Sequence, residues 1–194
     1  MKSSRTSRGS LVSLGIFLCA IAAIIARGQG TQERHGDDAS SQPWASAEGK
    51  VVVLIFSRTD CPIANRYAPE IEKLQAAHAA DALFWMVYPD KRETDEAIRA
   101  HDAEYHLTLP VLRDPERKLV KRAQVSVTPE AAVFDAKGQL VYHGRIDNWF
   151  EDLGRARLMP TTHELSDAIA AAVSGHKVQP ASRPAVGCYL SDAQ

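Results

Sequence analysis

The chain has 194 residues and three cysteines, and two of these, Cys61 and Cys188, are the candidates for thiol chemistry. Cys61 is followed by Pro62 and then by Ile63, Tyr67, Ile71 and Leu74 at helical spacing, so a helix is expected from Pro62 to about Ala80. Proline suits the first helical position, where its missing N–H would have no partner anyway. Cys61 then falls at the N-cap. Unpaired backbone N–H groups and the positive end of the helix dipole favour a thiolate there. Asp60 opposes this wherever its carboxylate lies close. A thiolate so placed is a nucleophile toward disulfides or peroxides. Within the helix, Pro69 removes one backbone hydrogen bond and is expected to kink it.

Cys188 belongs to a proline-containing tail, Lys177 to Gln194, and three readings stand open for it. It resolves an oxidised Cys61, it forms a permanent staple with Cys61, or it stays free. A flexible tail suits the first. For the second, closing a loop of about 127 residues would add roughly 5 kcal/mol in the chain-entropy model.

The third cysteine, Cys19, sits inside an uncharged, mostly apolar run from Leu11 to Ala26 that follows Lys2, Arg5 and Arg8. Small residues at Ala26 and Gly28 complete the pattern of a secretory signal peptide, residues 1–28. The run is shorter than the roughly 20 residues of a membrane-spanning helix. An uncleaved anchor is the other reading, and is the membrane contact expected. Export implies a periplasmic or other extracytoplasmic location, where a disulfide can persist.

The remaining elements must position the thiols. Residues 29–48, rich in Gly, Gln, Ser and Asp, read as a flexible linker. The domain is expected over 49–176, with the tail over 177–194. Lys50 to Phe56 reads as a strand buried on both faces, and Leu83 to Tyr88 as a second. Thr94 to Tyr105 is an amphipathic helix candidate. Pro110 to Leu112 is a short strand and Pro115 to Ala123 a short helix. Ala131 to Phe134 and Gln139 to His143 flank a turn at Asp135 to Gly138, which is a hairpin pattern. A last helix spans Thr161 to Val173, with Thr161 or Thr162 as cap and Gly175 as terminator. The order implies an α/β domain with a mixed central sheet flanked by helices.

Composition is that of an ordinary globular protein, 45% hydrophobic and 24% charged. The net charge of -1, with no basic patch or reader motif, argues against nucleic acid as a partner.

The motif Ser57-Arg-Thr-Asp-Cys-Pro-Ile-Ala-Asn-Arg-Tyr-Ala-Pro-Glu70 resembles the active-site helix of the thioredoxin-like superfamily. Val127-Thr128-Pro129 followed by the hairpin resembles its redoxin, AhpC/TSA-like branch, and Gly187-Cys188 fits a bacterial redoxin subgroup with a Gly-Cys tail. The resemblance covers about Lys50 to Gly175. It implies a thioredoxin-like fold, with Pro129 cis against Cys61 and the backbone before it able to pair with an extended substrate.

Departures from the pattern narrow the chemistry. Ala64 stands where thioredoxins carry a second cysteine, so no local CXXC disulfide can close. Arg58 and Leu54 stand where peroxiredoxins have Thr and Pro, and Pro129 where they have an activating Arg. Copper-handling relatives carry a cysteine at the position of Asn65.

The leading expectation is an extracytoplasmic thiol-disulfide oxidoreductase. Cys61 and Cys188 would be catalytic, and Pro62, Thr128 and Pro129 would face substrate. Arg58, Asn65, Arg66 and Arg145 are supporting candidates, each otherwise a solvated surface residue, and Asp60 is a candidate proton shuttle or otherwise an N-terminal cap partner. A peroxiredoxin-like thiol peroxidase is the alternative, as is a binding module locked by a structural Cys61–Cys188 bridge. Expected partners are a thiol- or disulfide-containing protein, a small thiol, or peroxide. No cofactor is implied, since the cysteines carry the electrons. His143 and His163 lack a ligand cluster, so no metal is expected. Tyr67 and Trp85 read as core.

Overall fold

A computed structural model describes residues 42–190. The expected signal or anchor, and the expected linker up to residue 41, lie outside these residues. Within them no helix is long and apolar enough to cross a membrane.

The first central strand, β1 (Val51–Phe56), is buried along its whole length. Its β-branched and apolar run suits a pleated surface covered on both sides. It pairs in parallel with β2 (Ala82–Tyr88), which pairs in parallel with β3 (Val111–Arg113). On its other side β1 runs antiparallel to β5 (Glu130–Phe134), and β5 to β6 (Leu140–Gly144). The sheet order is β3-β2-β1-β5-β6-β9, the last being Ser182–Arg183 of the tail.

Alternation along β1 divides the core in two. Val51, Val53 and Ile55 join the apolar face of α2 (Pro62–His78) and Leu165, Ala168 and Ile169 of α5 (Glu164–Val173). Val52, Leu54 and Phe56 face α4 (Lys118–Ala123) through Leu119, Val120 and Ala123. Helix α3 (Asp95–Tyr105) starts at Thr94, whose side chain accepts from the Ala97 N–H, and buries Ile98 and His101. Such a cap contributes about 1 kcal/mol. Asp114 anchors α4 by accepting from the Val120 N–H at 2.9 Å. Helix α2 is continuous through Pro69.

Three expectations change. The expected linker is packed at its end: α1 (Gln42–Ala45) places Trp44 edge-on to Phe134 at 5.1 Å, beneath the Arg122 guanidinium. A lone aromatic in polar sequence gave no periodicity to mark this turn. Helix α5 begins later than Thr161, with His163 at its cap position and no side-chain capping bond. Asn148 instead accepts from the Thr161 and Thr162 N–H groups at 2.7 and 3.1 Å, fixing those residues outside the helix. The tail, expected to be flexible, is laid against the domain. Strand β9 pairs with β6, and β10 (Cys188–Tyr189) pairs antiparallel with β4 (Val127–Thr128). A small hairpin, β7 (Phe150–Asp152) and β8 (Arg155–Ala156), lies between β6 and α5.

Candidate active site

The loop Ser57–Asp60 leaves the end of β1 and delivers Cys61 to the N-cap of α2, with Pro62 at the first helical position. The sulfur makes no capping bond to the first-turn N–H groups. In its protonated form it donates to the Thr128 carbonyl at 3.0 Å. Cys61 is fully buried and packs in the main core cluster. Thr128 and Pro129 are also buried, and the peptide between them is cis.

The tail brings the second thiol to the first. Cys188 lies opposite Thr128 in the β4–β10 register, and Cys61 donates to the carbonyl of that same Thr128, so the strand brings the second thiol to the neighbourhood of the first. Both cysteines are free. Burial first, then the hydrogen bond and charge of Cys61, push the Cys188 thiol up to about 12, while the Arg58 charge acts the other way. Cys188 therefore keeps its proton at neutral pH.

This approach depends on Gly187. A Cβ built there would lie 2.1 Å from the Thr128 oxygen and 2.6 Å from its carbonyl carbon. Backbone cannot yield that distance, so a side chain at 187 would push the strand off β4. The sequence pattern marked Gly187 only as part of a Gly-Cys pair.

The supporting candidates separate into two groups. Arg58 and Asp60 belong to the sulfur site. Their side chains pair at 2.7 Å, Asp90 stands 3.8 Å from Arg58, and both bear on Cys188 electrostatically. The Arg58 Nε is buried with no hydrogen-bond partner. Asn65, Arg66 and Arg145 are engaged elsewhere. Asn65 donates to the Thr59 carbonyl and pairs with His101 Nε2 at 2.9 Å, tying the loop before Cys61 to α3. Arg66 lies over the rings of Trp149 and Phe150. Arg145 is ion-paired with Glu164. Tyr67 is core, as expected, but its hydroxyl also donates to Asp147 at 2.5 Å. His143 stands 3.6 Å from Glu130, and among the described residues no group of three or more His, Cys, Asp or Glu is placed to hold a metal.

Two further acids shape the site. Glu93 accepts from the Thr59 N–H at 2.6 Å and pins the Cys61 loop, and burial raises its pKa. Glu130 accepts from the Ser126 and Val127 N–H groups at 2.8 and 3.2 Å and so sets the entry to β4. An acid directly after a Thr-Pro pair was the available signal for Glu130. Glu93 is 32 positions from Cys61 and nothing in the sequence linked them.

Comparison with known proteins agrees with this architecture. A hypothetical protein from Sinorhizobium meliloti 1021 is similar in structure at a TM-score of 0.63 and 21% identity, over 74% of this chain and 80% of that one. An uncharacterized conserved protein from Geobacillus kaustophilus matches at 0.63 and 20%, over 75% and 78%. A thioredoxin-like superfamily protein matches at 0.52 and 20%, over 66% and 83%. No curated protein matches the chain. These likenesses establish a thioredoxin-like fold. The AhpC/TSA family model matches residues 31–143, a span that includes Cys61 and Pro129 and stops short of Cys188. With more than half of its length covered by that match, the chain belongs to the AhpC/TSA family.

Proposed function

We propose that the protein is a thiol-disulfide oxidoreductase in which Cys61 attacks and Cys188 resolves. The observation that carries this reading is the pairing of a helix N-cap cysteine with a second, protonated thiol in a chain that lacks CXXC. The Cys61 thiolate attacks one sulfur of a substrate disulfide. That S–S bond breaks, the leaving sulfur takes a proton, and a mixed disulfide forms on Cys61. The Cys61 charge that helps to raise the Cys188 pKa is then gone, so Cys188 ionises more readily beside Arg58. Its thiolate attacks the Cys61 sulfur, substrate leaves as a second thiol, and a Cys61–Cys188 disulfide remains. An external thiol returns the pair to the reduced state. Pro62, Thr128 and Pro129 border the reacting sulfur on the substrate side. The basic residues and apolar run near the N-terminus support work outside the cytoplasm, on a secreted form or an anchored one.

Redox titration of the wild type beside Cys61→Ser and Cys188→Ser, read by mass spectrometry, tests the proposal. The wild type should form an intramolecular disulfide, and Cys188→Ser should accumulate Cys61 mixed disulfides. A sulfenic acid on Cys61, formed with one-for-one loss of hydrogen peroxide, would select peroxide reduction instead. A bridge that resists reduction below about -300 mV would mark a structural staple.

A further inference from the structure

The edge of β4 beside Cys61 is occupied by the chain itself. Cys188 and Tyr189 pair antiparallel with Thr128 and Val127, and the Leu190 N–H donates to the Ser126 carbonyl at 2.9 Å. This places an extended segment along β4 with its cysteine against the nucleophile, the geometry in which a disulfide-bearing strand would present its sulfur. The seat is short, with Val186, Cys188 and Leu190 only partly buried against the core. Strand β10 has two residues, Tyr189 is 72% exposed, and upstream the tail runs without secondary structure from Pro184 to Gly187. Upstream of that stretch β9 holds the tail to β6 independently, with the Arg145 N–H donating to the Arg183 carbonyl at 3.1 Å. The distal segment can therefore leave while the proximal one stays.

We propose that Ala185–Leu190 is an internal stand-in for substrate, which blocks Cys61 toward protein disulfides until an incoming strand displaces it. The strand that fits carries glycine immediately before its cysteine, because a Cβ in that register meets the Thr128 carbonyl. The partner class is thus an extended Gly-Cys segment whose cysteine is in a disulfide. The inference rests on the oxidoreductase reading. In the exchange the partner's S–S bond breaks, a Cys61–partner disulfide forms, and the released half takes a proton. Return of the tail then lets Cys188 displace the partner as a thiol. Two thiols are oxidised and one disulfide is reduced.

The test uses the full-length chain carrying Cys188→Ser, which keeps the strand but cannot resolve. Second-order rates of mixed-disulfide formation are measured by stopped flow and mass spectrometry with two peptides, Ala-Val-Gly-Cys-Tyr and Ala-Val-Val-Cys-Tyr, each disulfide-linked to glutathione. The Gly-Cys peptide should react at least tenfold faster. Adding Gly187→Val to free the edge should raise its rate at least tenfold again, with loss of hydrogen-exchange protection at the Leu190 amide. Equal rates for the two peptides would overturn the proposal, as would an unchanged rate once Leu190 has lost protection. If Cys61 in either variant forms no adduct with any disulfide, the oxidoreductase reading fails as well.

Discussion

The tail meets the domain along two seams, and each answers the same steric problem from the opposite side. At the upstream seam the glycine belongs to the domain. Gly144 has φ +142°, and a Cβ there would lie 2.1 Å from the Arg183 carbonyl. At the downstream seam the glycine belongs to the tail, where Gly187 clears the Thr128 carbonyl. The domain has thus been shaped to receive β9, with a backbone angle that side chains rarely tolerate. At β4 it is the visitor that carries the glycine, and the edge offers the Thr128 carbonyl that this glycine clears. A dedicated seat and an exchangeable one sit on the same tail.

Removing the sulfur between the seams should have the largest effect. Cys61→Ser should lower disulfide exchange at least about 1000-fold, since the oxygen nucleophile is essentially unionised at neutral pH. Both seams should persist, as seen by amide protection of Leu190 and Arg145. Retention of exchange in that variant would move the chemistry away from Cys61.

Swapping the two glycines for valine compares the seats directly. Gly144→Val combines backbone strain with a clash inside the sheet and should cost about 3 kcal/mol, a fall of roughly 6–12 °C in Tm. Gly187→Val only releases an edge strand and should cost less than about 1 kcal/mol. Equal shifts in a thermal melt would erase the distinction.

The next prediction concerns pH at the downstream seam. Burial and the adjacent Cys61 sulfur both raise the Cys188 pKa, to about 12, so its alkylation by iodoacetamide should stay slow until strongly alkaline pH. Cys61→Ala removes the second cause and leaves the first. The midpoint should therefore move down, toward an ordinary thiol. A midpoint unmoved by the substitution would mean that the two sulfurs do not interact.

The smallest effect is expected from Arg117→Ala. Arg117 donates to the Leu190 carbonyl at 3.1 Å, at the far end of β10. Its loss should speed exchange of the Leu190 amide severalfold and leave that of Arg145 unchanged. Parallel acceleration at both amides would show that the tail opens as one piece.

The sequence carried the parts of the site that are local. An apolar run too short and too β-branched for a helix marked β1, the Cys-Pro pair marked the start of α2, and Asp135 to Gly138 marked the hairpin turn. Cys61 was legible because it lies at the start of such an element, and Pro129 through the resemblance of Val127-Thr128-Pro129 to the thioredoxin-like pattern. The seating of the tail was not legible. Two-residue strands have no period to detect, and the fit of Gly187 depends on a carbonyl 59 positions away. The positions of Asn65, Arg66 and Arg145 depended likewise on His101, the Trp149–Phe150 rings and Glu164, partners brought close only by the tertiary fold.

The place of β9 has a bearing on colloidal behaviour. Strand β6 would otherwise end the sheet with open N–H and carbonyl groups, a template on which a second copy could add a strand. His143 and Gly144 instead pair with Ser182 and Arg183. A tail that hinged at its root would uncover that template whenever Cys61 was exposed. A tail that hinges after Arg183 can open the sulfur site while His143 and Gly144 stay paired, so turnover need not lengthen the open edge of β6.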